Sequence, residues 1–212
     1  MLFGFEYKRA CDFFIGPIDL KSIKAMESLK APDYDVERLI TDLEGGRRTV
    51  CIKTASTGRQ SRSAALLYRG RVVGCTYSNK RGPGYLSTEN ALVSLLDDLN
   101  GRDTDVIIYD LPEEVVASLA SLFIGNVLDR DDSMGAGEYY EHMMDWFADN
   151  KTTACLTIVT GHPPRTNLVI VHKGQLIGPA NTRIVKQIVT SFTLTDFIPC
   201  SCPGLILSLI HI

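Results

Sequence analysis

The sequence predicts an α+β fold of two repeated modules, each a helix followed by a three-stranded antiparallel meander and covering helices. Three observations carry this prediction. First, the stretch Thr49–Gly74 is written again at Thr153–Gly178: Thr49, Cys51, Gly70 and Gly74 recur as Thr153, Cys155, Gly174 and Gly178, each 104 residues later. Thr57-Gly58 recurs as Thr160-Gly161 at 103, a one-residue slip in a turn, where insertions are tolerated. Self-similarity at a fixed period marks a duplicated structural unit. Second, within each copy the apolar spacing changes from helical to strand-like. Third, charge is segregated. Residues 47–81 hold nine Lys/Arg and no acid, whereas residues 82–149 hold fifteen Asp/Glu against Arg102 and Arg130. Residues 150–195 are again free of acids and carry five Lys/Arg, so each meander is basic and the linking helices are acidic.

Residues 1–32 form an N-terminal segment of unassigned role, with a short helical pattern through Ile23, Met26 and Leu29. The first module spans 33–130. Asp33 or Asp35 caps a helix in which Val36, Leu39, Ile40 and Leu43 share a face, and Gly45-Gly46 ends it. Strands follow at Val50–Ala55, Ser63–Tyr68 and Arg71–Tyr77. The glycines Gly58, Gly70 and Gly74 are read as turn positions, Gly70 because a tight hairpin needs positive φ. A helix from Ser87 or Thr88 buries Leu92, Leu95, Leu96 and Leu99. Val106–Tyr109 is a buried strand, and Pro112 sits in the first turn of a helix through Val115, Val116, Leu119 and Leu122.

The polar run Asp129–Ser133 places a boundary at 130/131, and the second module covers 131–203. It opens on a helix over Glu138–Asp149, repeats the meander with turn glycines Gly161, Gly174 and Gly178, and ends on a helix over Thr182–Phe192. The closing residues 204–212 resemble translated adapter read-through. They are set aside as a non-native tail, which leaves the second module incomplete.

A chain of 212 residues with 45% apolar and 22% charged residues suits two domains of ordinary globular composition. The net charge of −3 singles out no partner. The six cysteines form no CxxC, and Cys51 and Cys155, at one repeat position inside apolar strands, read as buried hydrophobes. This usage suits a reducing, cytoplasmic setting. Neither a signal peptide nor a run of about 20 apolar residues is present, so no membrane association is expected.

The order of helix, strand, TG turn, strand ending in Arg-Gly or Lys-Gly, strand ending in Gly, loop and helix resembles the PatA N-terminal (PATAN) family of bacterial domains. Val36–Leu43, Thr49–Gly58, Ala64–Gly74 with its LLYRGRVVG, Asn90–Leu99 and Val106–Tyr109 carry the likeness in the first copy. Tyr140–Phe147, Thr153–Gly161 and Leu168–Gly178 carry it in the second. The resemblance implies a non-catalytic adaptor or regulator in a signalling system, whose partner is a protein such as a receiver or kinase-type module. A homodimer is compatible with it. The family offers no catalytic residues and no cofactor.

From the residues themselves no catalytic or metal site emerges. His142, His162 and His172 lack ligand spacing, and Ser61, Ser63 and Cys75 have no base–orienter pair in a recognisable context. The candidate binding residues are Arg59, Arg62, Arg69, Arg71, Lys80 and Arg81, which could receive an anion such as a nucleotide or nucleic acid. Against that, only Tyr68, Tyr77 and Tyr85 lie nearby for stacking, and acidic Asp97-Asp98 and Glu113-Glu114 stand ready to offset the basic strands.

Overall fold

The structure, a computed structural model, describes residues 25–30, 34–80, 86–101, 103–128, 133–160, 165–177 and 207–211. It is an α+β fold with two five-stranded antiparallel sheets. The chain divides into two units, Met1–Val116 and Ala117–Ile212, a division that falls within the helix after Pro112. Arg81, Gly161, His162, Gly178, the expected 182–192 helix, Cys200 and Cys202 lie outside the described residues.

In the first unit, β1 (Ala25–Lys30), α1 (Val36–Gly45), β2 (Val50–Ser56), β3 (Ser61–Tyr68), β4 (Arg71–Asn79), α2 (Thr88–Leu99) and β5 (Thr104–Asp110) follow in order. The sheet order is β1-β5-β2-β3-β4, so β5 inserts between β1 and the meander. The helical spacing of Ile23, Met26 and Leu29 therefore misleads over Ala25–Lys30. Three apolar positions do not separate the two periods, and pairing with β5 satisfies the backbone of this segment while Leu29 packs against the core.

Asp35 is the N-cap of α1, accepting from the Glu37 and Arg38 N–H groups through its side chain. Ser87 caps α2 through Asn90 N–H. Ala91, Leu95 and Leu99 recur at four-residue spacing and join Leu43, Val50, Ile52, Ala65, Leu67, Val106 and Ile108 in one core. Cys51, Ala64 and Leu66 are buried on the other face of the sheet, so the central strands are apolar on both sides. Tyr34 fastens α2 to β5 by donating its hydroxyl to the carbonyls of Leu99 and Thr104 at 3.1 and 3.2 Å.

Gly70 has φ +81, as the hairpin requires. Gly74 does not stand at a turn. It lies inside β4 opposite Leu66, beside a bulge at which Leu66 pairs with Gly74 and Leu67 with Val72. The inserted Val73 bends the strand without ending it, and a strand-interior glycine often accompanies such a bulge.

The helix α3 (Glu113–Ile124) follows Pro112, whose carbonyl accepts from Val115 and Val116 N–H. Next come β6 (Asn126–Leu128), α4 (Ala136–Asn150), β7 (Ala154–Thr160), β8 (Arg165–His172), β9 (Gln175–Leu176) and β10 (Leu207–His211). The sheet order is β6-β10-β7-β8-β9. The segment set aside at the sequence level thus contributes the strand between β6 and β7. Tyr139, Tyr140, Met143 and Phe147 of α4 pack on Ala154 and Leu156 of β7 and Val169 and Val171 of β8. Trp146 meets Phe147 edge-on with centroids 5.8 Å apart, so the aromatic–methionine stripe of this helix is core.

Cys51 and Cys155 are both 0% exposed, as their place inside apolar strands predicted. Burial pushes the Cys155 thiol up to about 12 and the Tyr140 phenol likewise to about 12. Folded-state values raised above unfolded ones mean that the unfolded chain loses these protons first. The contribution of these two groups to stability is therefore expected to be fully present below about pH 9 and to be lost between about pH 9 and 12. Cys155 should resist a thiol reagent at pH 8 under native conditions. Rapid native labelling of Cys155, identified by peptide mapping, would contradict this burial.

Among the described residues, no helix is long and apolar enough to cross a membrane, and no group of three His, Cys, Asp or Glu is arranged to hold a metal.

Candidate functional site

The structure distributes the predicted basic residues between the two ends of the meander. Arg59, in the Thr57–Gln60 turn, and Lys80, whose N–H donates to the Gln60 carbonyl at 3.3 Å, lie at one end with Arg62 near it on β3. Arg69 and Arg71 lie at the other end, across the length of β3, which is about 25 Å for eight residues. The five that are described do not make one patch.

At the first end the charge is answered within the unit. The Arg59 guanidinium reaches Asp98 at 3.4 Å and Asp97 at 3.9 Å, both on α2. Asp98 is 0% exposed and also accepts from Tyr77 at 3.4 Å and from the Ser61 hydroxyl, while its backbone carbonyl accepts from Thr104 Oγ1 at 2.6 Å. A buried carboxylate needs such partners to offset its lost hydration. Asp103 clamps the neighbouring turn: it accepts from Gly58 N–H and Ser56 Oγ, and its carbonyl accepts from Thr57 N–H. Sequence reasoning assigns Asp98 only a charge-offsetting place beside Asp97 and gives Asp103 no role. The signal for the burial of Asp98 is its place three residues after Leu95, on the apolar stripe of α2.

The other end is the β3–β4 hairpin tip. Arg69 (φ +50) and Gly70 (φ +81) both have positive φ, as a two-residue type I′ turn requires. The tip lies against the C-terminus of α1: a Cβ on Gly70 would stand 2.8 Å from Glu44 O and 3.0 Å from Glu44 Cα. Gly70 N–H donates to Arg48 O at 2.7 Å and Arg69 N–H to Thr49 Oγ1 at 3.1 Å. Arg47 leaves the helix in the left-handed region, and together with Glu44, Arg69, Gly70, Arg71 and Val72 it lines a shallow open depression. Cations placed after a helix C-terminus also complement its dipole.

Arg69 itself is engaged. It donates to both Glu113 carboxylate oxygens, at 2.9 and 2.7 Å, and stacks on Tyr68. The Arg69 hydrogen bond holds the Glu113 carboxyl below its usual range, and the same bond raises Arg69. Arg48 likewise pairs with Asp110 at 3.0 Å. The groups first considered for nucleophilic chemistry are enclosed: Ser61 bonds Asp98, Ser63 bonds Thr54, and Cys75 is buried against the Thr76 carbonyl.

The second unit has the same connections at its own tip. Lys173 (φ +50) and Gly174 (φ +79) form the turn, Lys151 follows α4 with φ +49, Gly174 N–H donates to Thr152 O at 2.8 Å, and Lys173 N–H to Thr153 Oγ1 at 3.2 Å. His172 faces Thr153 Oγ1 at 3.4 Å, and His142 is exposed on α4.

No family model, curated protein or solved structure matches this chain.

Proposed function

We propose that the chain is a non-catalytic adaptor or regulator of a bacterial signalling system, built as two copies of one α+β module and acting through protein–protein contacts. The duplication rests on three correspondences: the equivalent strand orders, the matched hairpin-tip bonds, and the positive-φ residues 104 positions apart. The observation that carries the functional reading is the pairing of the basic meander with the chain's own carboxylates, Arg59 with Asp97 and Asp98 and Arg69 with Glu113. A surface of alternating, mutually engaged charges suits a protein partner better than a polyanion, which needs a continuous positive field. The enclosure of Ser61, Ser63 and Cys75 favours binding over nucleophilic catalysis.

The competing reading, an anion-binding module using Arg59, Arg62, Arg69, Arg71, Lys80 and Arg81, separates from it on salt. A labelled single-stranded oligonucleotide is expected to show no anisotropy rise at about 0.05 M salt, where phosphate contacts would be strongest. The tagged chain is expected to co-elute with a receiver- or kinase-type protein encoded beside it. Tight oligonucleotide binding with a steep salt slope would replace the adaptor reading by the anion-binding one.

A further inference from the structure

The two hairpin tips share more than their backbone bonds. In the first unit the exposed cations Arg47 and Arg71 stand beside a turn pinned on the end of α1, whose own Arg69 is held by Glu113, and the second residue of the returning strand, Val72, is 40% exposed. In the second unit Lys151 and Lys173 flank the turn pinned on α4, and Leu176, again the second residue of the returning strand, is 41% exposed. Only four large apolar residues are exposed among those described, and two of them occupy this equivalent position. β4 and β9, which carry them, are each the last strand of their sheet order.

Neither turn geometry nor core packing calls for this combination. A type I′ turn needs Gly70 or Gly174 but leaves the preceding side chain open, and Val72 and Leu176 join neither core cluster. Two cations beside an exposed aliphatic side chain on a rigid tip complement an extended segment that carries carboxylates around one apolar anchor. We infer that each unit docks an acidic, aliphatic-anchored peptide segment of a protein partner on its hairpin tip, so that one chain offers two equivalent sites. The inference deepens the adaptor reading and rests on it. The anchor enters beside Val72 or Leu176, and the carboxylates meet Arg47 and Arg71 or Lys151 and Lys173. Glu44 stands in the first depression as a counter-charge, while the equivalent position in the second unit is Ala148. The second site therefore accepts the more acidic segment.

The test uses a fluorescent 12-residue peptide in which aspartates flank a single central leucine, titrated into the whole chain by anisotropy and calorimetry at about 0.05 M salt. Two equivalents are expected to bind, with affinity falling at least about tenfold as salt rises to about 0.5 M. Arg47→Glu with Val72→Asp should reduce the stoichiometry to one, and Lys151→Glu with Leu176→Asp should do the same. The four changes together should abolish binding, with circular dichroism unchanged. Folding is guarded by leaving Arg69, Gly70, Lys173 and Gly174 intact. Failure of the peptide to bind, or unaltered stoichiometry in folded variants, overturns the inference. If the fourfold variant still co-elutes with the receiver- or kinase-type protein, the two-site inference fails while the adaptor reading stands. If the peptide binds the tips but no such protein co-elutes, the signalling reading fails and the sites stand.

Discussion

Gly70→Val is expected to destabilise the first unit by about 3 kcal/mol, and Gly174→Val to do the same to the second. Two effects combine at each position. The φ values of +81 and +79 lie where a β-branched residue is strained, and the new Cβ meets backbone rather than a yielding side chain. At Gly70 it stands 2.8 Å from Glu44 O and 3.1 Å from Leu43 O; at Gly174 it stands 2.6 Å from Phe147 O and 2.8 Å from Ala148 Cα. Relief requires the hairpin to lift from the helix end, which breaks the Gly70–Arg48 or Gly174–Thr152 hydrogen bond. Gly45 is the contrast. It ends α1 with nothing within 4 Å of the methyl an alanine would bring, so Gly45→Ala should be neutral or stabilising by about 0.5 kcal/mol. Trp146 is the sole tryptophan, so its fluorescence reports the second unit, whereas far-ultraviolet circular dichroism reports both. Gly174→Val should lower the urea midpoint seen by Trp146 by roughly 1–2 M. Unchanged midpoints in both glycine variants would refute the pinned-tip account.

Asp98→Ala is expected to lower stability by about 3 kcal/mol and the melting temperature by on the order of 10 °C. The loss is large because removal of the carboxylate strands two buried hydroxyls, Ser61 and Tyr77, and leaves Arg59 with only the exposed Asp97 at 3.9 Å. Asp98→Asn keeps an acceptor oxygen and should lose about half as much. The neighbouring Asp97→Ala should change stability by less than about 0.5 kcal/mol, because that carboxylate is 62% exposed and its ion pair is solvent-screened. Thermal melts of the three variants decide the matter. Near-equal melting of Asp98→Ala and Asp97→Ala would mean that the buried network does not hold the meander to α2.

The local grammar of the chain was legible because it is imposed by short-range physics. Asp35 and Ser87 act as caps, Gly70 takes positive φ, and Leu95 and Leu99 face inward, each for reasons contained within a few residues. The offsetting of basic strands by acidic helices was also legible, since Arg59 meets Asp97-Asp98 and Arg69 meets Glu113. What escaped depends on distant partners. Ala25–Lys30 becomes a strand because β5 lies beside it, Gly74 continues a strand because Val73 is bulged, and Leu207–His211 is placed between β6 and β7. Arg47 and Lys151 escaped as well. Their partnership with the hairpin tips follows from the return of the chain onto the helix end, which spacing along the sequence does not express.

The insertion of β5 between β1 and β2 also orders assembly in time. The β2–β3 and β3–β4 pairings close through turns of four and two residues, whereas β5 reaches β2 only after α2 has intervened, and β1 waits for β5. Loop-closure entropy leads us to expect the meander to form early and β1 to join after β5. The same order runs backwards under stress: β1, held in the sheet by β5 alone, is expected to peel away before β5 leaves β2.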